Sequence, residues 1–227
     1  MASVPALELR GVRLDYPTPS GPVTAVKEVD LVVPRGGLTV LAGPSGSGKS
    51  TLLRLLGLVE RPTEGTVWFD GGRVTGLAHR QLRRLRRNRV VMIFQNPADN
   101  LFDYLTVGEN LVAAAQLAGR RAAQENLLER LGLPGTEGWR VSALSGGQQQ
   151  RLAFACAIAA GAEVVLADEP TSQLDARSAT LVLETLAELA TWDVTVVAAS
   201  HDDRLIELGS PVVRLRDGRI TSTEGLR

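Results

Sequence analysis

Disulfides are excluded at once. The 227 residues contain a single cysteine, Cys156, so no internal bridge can form and a reducing compartment is expected. An excess of either charge is missing as well. The 25 basic residues face 25 acidic ones, which leaves no broad electrostatic footprint for nucleic acid or for a strongly acidic partner. Long apolar runs are absent. The longest, Leu152–Ala162, falls short of the roughly 18–20 residues that a membrane-spanning helix needs. The first residues carry Glu8 and Arg10 instead of a basic start and an apolar stretch, so no secretory signal is expected. There is no repeat and no low-complexity tract. What remains is a chain with 44% hydrophobic residues, enough to bury a sizeable core.

Short β-branched runs alternate with helical stretches, the pattern of an α/β fold with a mostly parallel sheet. The first part differs. Leu7–Leu9, Val12–Leu14 and Val29–Val33 alternate apolar and polar residues between turns, which predicts antiparallel strands. Further strands are predicted at Leu38–Ala42, Thr66–Phe69, Val90–Phe94, Glu163–Ala167 and Val194–Ala199. Helices are predicted over Ser50–Leu58, His79–Arg89, Gln149–Ala160 and Ala176–Ala190, each with apolar residues at helical spacing. Thr106–Leu131 is rich in alanine and leucine and breaks at Gly119. It predicts helices of a subdomain inserted into the α/β core between about residues 96 and 160.

Gly43-Pro44-Ser45-Gly46-Ser47-Gly48-Lys49-Ser50 matches the phosphate-loop pattern and lies between a predicted strand and a predicted helix, where the chemistry requires it. The glycines let the backbone wrap closely around phosphates. The helix start near Lys49 adds free N–H groups and a positive dipole end. Lys49 would reach the β- and γ-phosphates, and the Ser50 hydroxyl would ligate Mg²⁺. Thr51 follows as a further candidate contact. A Gly/Ser loop without function would not explain both the spacing and the flanks. Glu163–Ala167 runs into Asp168 and Glu169. Asp168 would support the Mg²⁺ ion, and Glu169 could orient and deprotonate an attacking water. A charged strand end facing solvent is the bland alternative. At this point kinases, GTPases, helicases and transporters all remain open.

Leu144-Ser145-Gly146-Gly147-Gln148 resembles the signature of the ABC ATPase superfamily. Two glycines permit close backbone approach, a serine hydroxyl can hydrogen-bond an anion, and a helix begins there. In isolation the segment would read as an ordinary N-cap. Four further matches follow in family order. Tyr16 is similar to the aromatic residue that stacks on adenine. Gln95 is similar to the glutamine that senses Mg²⁺ and the γ-phosphate. Ser172-Gln173-Leu174-Asp175 is similar to the loop that meets the other subunit, and His201 to the switch histidine. The resemblance spans Tyr16 to His201 and implies one ABC ATPase domain over residues 1–227. Arg61-Pro62-Thr63-Glu64-Gly65 and the compact single cassette resemble most the lipoprotein-release and macrolide-export group. Two departures stand out. Cys156 replaces a usual arginine and Gln173 a usual alanine. Cys156 is expected to be a buried small residue on an alanine-rich helix rather than a reactive thiol.

The resemblance implies ATP and Mg²⁺ as ligands and a homodimer of cassettes facing head to tail. Each ATP would lie between Lys49 of one subunit and Ser145 of the other. It also implies a separate integral membrane permease that holds the chain peripherally on the cytoplasmic face of the cell membrane. A non-transport ABC ATPase of translation or repair, and a motor regulating a cell-wall enzyme, are the alternatives. The first usually has two cassettes or long coiled-coil insertions, which this sequence lacks. Two stretches remain. Arg80, Arg83, Arg84, Arg86, Arg87 and Arg89 suggest a solvated helix face, or a surface for anionic lipid. Nucleic acid is the least expected partner. Leu101, Phe102, Tyr104 and Leu105 load an expected loop, Asn96–Leu105, with apolar side chains. They either cap the helical subdomain or receive a permease helix.

Overall fold

The computed structural model describes residues 4–121 and 126–225. Its strongest organising feature is a six-stranded sheet of order β10-β9-β3-β8-β7-β6. Strands β3 (Leu38–Ala42), β6 (Val90–Ile93), β7 (Val164–Asp168), β8 (Thr195–Ser200) and β9 (Val212–Arg216) run parallel, and β10 (Arg219–Glu224) returns antiparallel beside β9. β3 and β7 are buried at every position. In β7, Val164 and Leu166 join one core and Val165 and Ala167 the other. Burial on both faces is why this strand reads as an unbroken apolar run.

A second, antiparallel sheet of order β2-β1-β4-β5 comes from β1 (Leu7–Tyr16), β2 (Val23–Val33), β4 (Glu64–Phe69) and β5 (Gly72–Arg73). The two strands expected at Leu7–Leu9 and Val12–Leu14 are one. Gly11 adopts φ +54° and the register with β2 shifts between Leu9 and Val12. A bulge lets pairing continue across the glycine that looked like a turn. Helix α1 (Lys49–Leu56) lies between the sheets and buries Leu52, Leu53, Leu55 and Leu56. It ends earlier than expected, because Gly57 closes the last turn with its N–H on the Leu53 carbonyl.

Helix α2 (His79–Asn88) precedes β6. Between β6 and β7 lies the expected helical insert: a 3-10 turn at Pro97–Asn100, α3 (Val107–Leu117), α4 (Leu127–Arg130) and α5 (Gly146–Ala159). Thr106 caps α3, accepting from the Glu109 N–H while the Glu109 carboxylate accepts from its own. This is a reciprocal capping box. α3 stops just before Gly119, as predicted, and the expected helix over 122–125 lies outside the described residues. Helices α5 and α6 (Ala176–Ala190) cover the far face of the large sheet. A short α7 (Asp203–Leu208) follows β8. Cys156 is buried in that core, and burial pushes its thiol up to about 12, as a small apolar residue would predict. Among the described residues no helix is long and apolar enough to cross a membrane.

Candidate nucleotide site

Parallel strands bring the expected chemistry together because β3, β8, β7 and β6 are consecutive in the sheet and point the same way. Whatever follows each strand emerges at one edge. The phosphate loop follows β3, His201 follows β8, Glu169 follows Asp168 at the end of β7, and Gln95 lies just beyond β6. These segments line a cleft of about 540 Å³. Ser45, Gly46, Gly48, Lys49, Ser50 and Thr51 form one wall, with Gln95, Glu169, Ser172 and His201 on the other sides.

The cleft is held by its own charges. The Lys49 ammonium is buried, donates to the carbonyls of Gly43 (2.7 Å) and Pro44 (3.2 Å), and lies 3.2 Å from Glu169 Oε1. Ser50 Oγ donates to Asp168 Oδ1 at 2.8 Å. His201 Nδ1 lies 3.0 Å from Glu169 Oε2. Burial pushes the Asp168 carboxyl above its ordinary pKa, and the neighbouring Glu169 charge adds to this. The Ser50 hydrogen bond and the Arg54 and Lys49 charges oppose it. Gly48 begins α1 at φ +101°, where a Cβ would lie 2.9 Å from the Ala25 carbonyl, so the loop passes closer to β2 than a side chain permits.

Other expected residues stand apart. Tyr16 is beside the cleft, paired in register with the cleft-lining Val23. Its hydroxyl donates to Glu60 at 2.8 Å, and burial, then that partner, raises its pKa. Ser145, Gly146, Gly147 and Gln148 do not line the cleft of their own chain. There the Ser145 hydroxyl accepts from the Gln148 N–H (3.3 Å), and the Gln148 side chain accepts from the Ser145 N–H (2.9 Å). Gly147 is buried against Ser178, where a Cβ would come within 2.8 Å. In the Asn96–Leu105 segment, Leu101 packs against the core, whereas Phe102 is 38% and Tyr104 67% exposed, their rings 5.9 Å apart.

The sequence reading missed Thr24, Ala25, Lys27, Asp217 and Gly218, all of which line the cleft. Asp217 and Gly218 turn the β9–β10 hairpin with φ +49° and +77°. The Gly218 N–H donates to the Ser47 carbonyl and its own carbonyl accepts from the Lys27 N–H. The signal was present: Asp-Gly between alternating apolar residues marks a two-residue hairpin. Nothing local marked Lys27.

Residues 26–172, more than half of the chain, match the family described as ABC transporter. The chain belongs to the ABC transporter family. It is 41% identical, over 97% of its own length, to the macrolide export ATP-binding/permease protein MacB of Rhodopseudomonas palustris strain HaA2. The MacB of Agrobacterium fabrum strain C58 is 39% identical over 97%. The chain spans about a third of the length of these relatives, 35% and 34%. Among solved structures it resembles a dimeric post-hydrolysis state of the ATP-binding cassette MJ0796 bound to ADP and Pi, with a TM-score of 0.85 at 32% identity. That match covers 97% of this chain and 99% of the other. The expected ABC ATPase cassette, and its nearness to the macrolide-export group, agree with these relatives.

Proposed function

We propose that this ABC cassette binds and hydrolyses ATP as a homodimer around two ATP molecules and so drives an integral membrane permease. The observation that carries the reading is the convergence of Lys49, Ser50, Gln95, Glu169 and His201 on one cleft, with Asp168 hydrogen-bonded to Ser50. Relatives support the rest: the MJ0796 cassette is dimeric, and the MacB proteins are named as ATP-binding and permease together. On this reading residues 1–227 act as a single domain, peripheral on the cytoplasmic face of the cell membrane, with no role for nucleic acid.

Lys49 leaves Glu169 to bear on the β- and γ-phosphates, beside the backbone N–H groups of residues 43–51. Tyr16 offers its ring to adenine. Glu169, released, orients the attacking water and accepts its proton, and His201 holds the γ-phosphate. Ser145, Gly146, Gly147 and Gln148, which do not line their own cleft, complete the site of the second copy. The donor set fits Mg²⁺. A hydroxyl and one carboxylate already meet, Ser50 Oγ to Asp168 Oδ1, and burial takes the Asp168 carboxylate largely out of water. Mg²⁺ prefers such a small set together with substrate phosphates and water. Ser50, Asp168 and Gln95 would hold it, and it would neutralise charge on the phosphate oxygens.

Glu169→Gln tests the assignment. The amide keeps the shape but cannot accept the proton. The variant should bind ATP, lose turnover, and elute as a dimer from gel filtration in ATP and Mg²⁺. A fully active variant would mean that another base does the work. The exposed Phe102 is assigned to the permease contact. Phe102→Ala should leave ATP binding intact and weaken co-purification with the permease by about 2 kcal/mol or more, the scale of an aromatic hot spot. A large drop in the melting temperature with unchanged association per folded molecule would make Phe102 a core residue instead.

A further inference from the structure

The arginines of α2 divide into two sets. Arg86 and Arg89 are tied to the body: Arg86 donates to the Leu58 carbonyl, and Arg89 pairs with Glu163 and Asp70. Arg80, Arg83, Arg84 and Arg87 are exposed, and none has a hydrogen-bond or carboxylate partner among the described residues. Their spacing is i, i+3, i+4 and i+7, so they form one stripe about 10 Å long. Leu82, on another face, is buried. Elsewhere Arg10, Arg13, Arg35, Arg130, Arg204 and Arg214 each meet a carboxylate, while Arg73, Arg177 and Arg219 stand singly on other elements. In a chain of balanced charge, four cations without a carboxylate partner among the described residues stand in one row on one helix.

The stripe works against its own helix. Arg80–Arg84 and Arg83–Arg87 are like charges four residues apart, which destabilise a helix. Arg80 lies in the first turn, near the positive end of the dipole, and that turn has no acidic residue. The Gln81 side chain accepts from the Ala78 N–H at the cap (3.0 Å), but Ala78 has no side chain to accept from the N–H groups of the first turn. A pattern that breaks local rules without local compensation points to a ligand. The stripe also faces a concavity. Arg80, Arg83, Arg84 and Arg87 line a groove of about 810 Å³ with Ala118 and Gly119, just past the end of α3, opposite. Among the described residues no acidic side chain lines it.

We propose that this groove docks an acidic segment of the permease, whose carboxylates pair with Arg80, Arg83, Arg84 and Arg87. Guanidinium groups in a row fit carboxylates in a fork geometry. The small residues Ala118 and Gly119 leave room for a backbone on the opposite wall. Concavity favours an inserted segment over a flat lipid surface. Only the naming of the partner as the permease rests on the transporter reading.

The first test is fluorescence anisotropy of the full chain with a labelled alanine-based peptide of about 14 residues, with glutamates at i, i+3, i+4 and i+7. The peptide should bind and should weaken as salt rises. The double variant Arg83→Glu with Arg84→Glu should weaken it at least about tenfold at low salt. Arg73→Glu, an equal change of charge at another exposed arginine, should leave it within about twofold. Arg83→Gln with Arg84→Gln should weaken the peptide too, while its melt holds or rises because repulsion along α2 is relieved. Both double variants should keep basal ATP hydrolysis and lose co-purification with the permease. Absence of peptide binding, or equal loss with Arg73→Glu, would overturn the proposal. So would loss of binding to phosphatidylglycerol vesicles or single-stranded RNA with peptide binding unchanged. Absent basal hydrolysis in the parent chain would instead count against the transporter reading, with peptide binding still standing.

Discussion

Two helices of this molecule begin at sites expected to meet phosphate, and they begin differently. α1 starts after Gly48, which has no side chain to cap it and a left-handed backbone. Its first N–H groups are left facing the cleft end of the phosphate loop. α5 starts after Ser145, which closes a reciprocal cap with Gln148. A glycine in place of a capping side chain costs only about a few tenths of a kcal/mol. The phosphate-loop end therefore keeps its donors ready for an anion, whereas the signature end is satisfied without one. One half-site is incomplete until substrate arrives. The other is complete alone and exposed, and in the proposed dimer it would share its serine hydroxyl with the second chain's phosphate.

The largest effect should come from the open end. Lys49→Ala removes the buried cation that otherwise faces the phosphates, and loss of one preorganised electrostatic contact lowers turnover by about 10²–10³-fold. Steady-state phosphate release checks this, and undiminished turnover would break the comparison at its first term. Ser145→Ala should have a mixed effect. Loss of the cap should cost about 1 kcal/mol, or a melting temperature lower by roughly 2–4 °C for a chain of this size. Hydrolysis should fall, yet nucleotide affinity of the monomer should not change. If monomer affinity fell with turnover, the signature would serve its own cleft and the two ends would not be complementary.

The smallest effect concerns Asp168. Its folded pKa is raised, chiefly by burial, so its ionisation disfavours the folded state. That cost is absent below the unfolded pKa of about 4, grows as pH rises through the folded value, and is complete at neutral pH. Asp168→Asn should therefore melt slightly higher than the parent at neutral pH without nucleotide or Mg²⁺, the gap closing towards pH 4. The same variant should lose stabilisation by Mg²⁺ with ATP. An unchanged or lower melt at neutral pH would show that the ionised carboxylate stabilises the free cleft.

Much of this comparison was legible in the residues. The phosphate loop and Asp168–Glu169 are short segments at strand ends, and local spacing is enough to read them. The helix expected from Gln149 begins three residues earlier, at Gly146, because the cap rather than the apolar pattern sets its start. Less legible were features made by contacts between distant segments. Gly11 looked like a turn because its bulge depends on pairing with β2. Lys27 carries no motif, and reaches the cleft only because the Gly218 carbonyl fastens its N–H. The hairpin at Asp217-Gly218 was readable from its dipeptide, but its place beside the phosphate loop follows from β9 pairing with β3.

That pairing has a consequence for synthesis. β3 is wholly apolar and buried, and its two neighbours are β8 and β9. Both are translated long after it, β8 starting at Thr195 against the end of β3 at Ala42. At about 5–20 residues per second, the nascent strand waits roughly eight to thirty seconds for its first sheet partner. The loop that follows it waits longer, until Gly218 emerges. Until then the phosphate loop lacks the Gly218 N–H that holds its Ser47 carbonyl. The burden of shielding β3 falls on α1, on the antiparallel sheet made before and after it, and on chaperones at the ribosome.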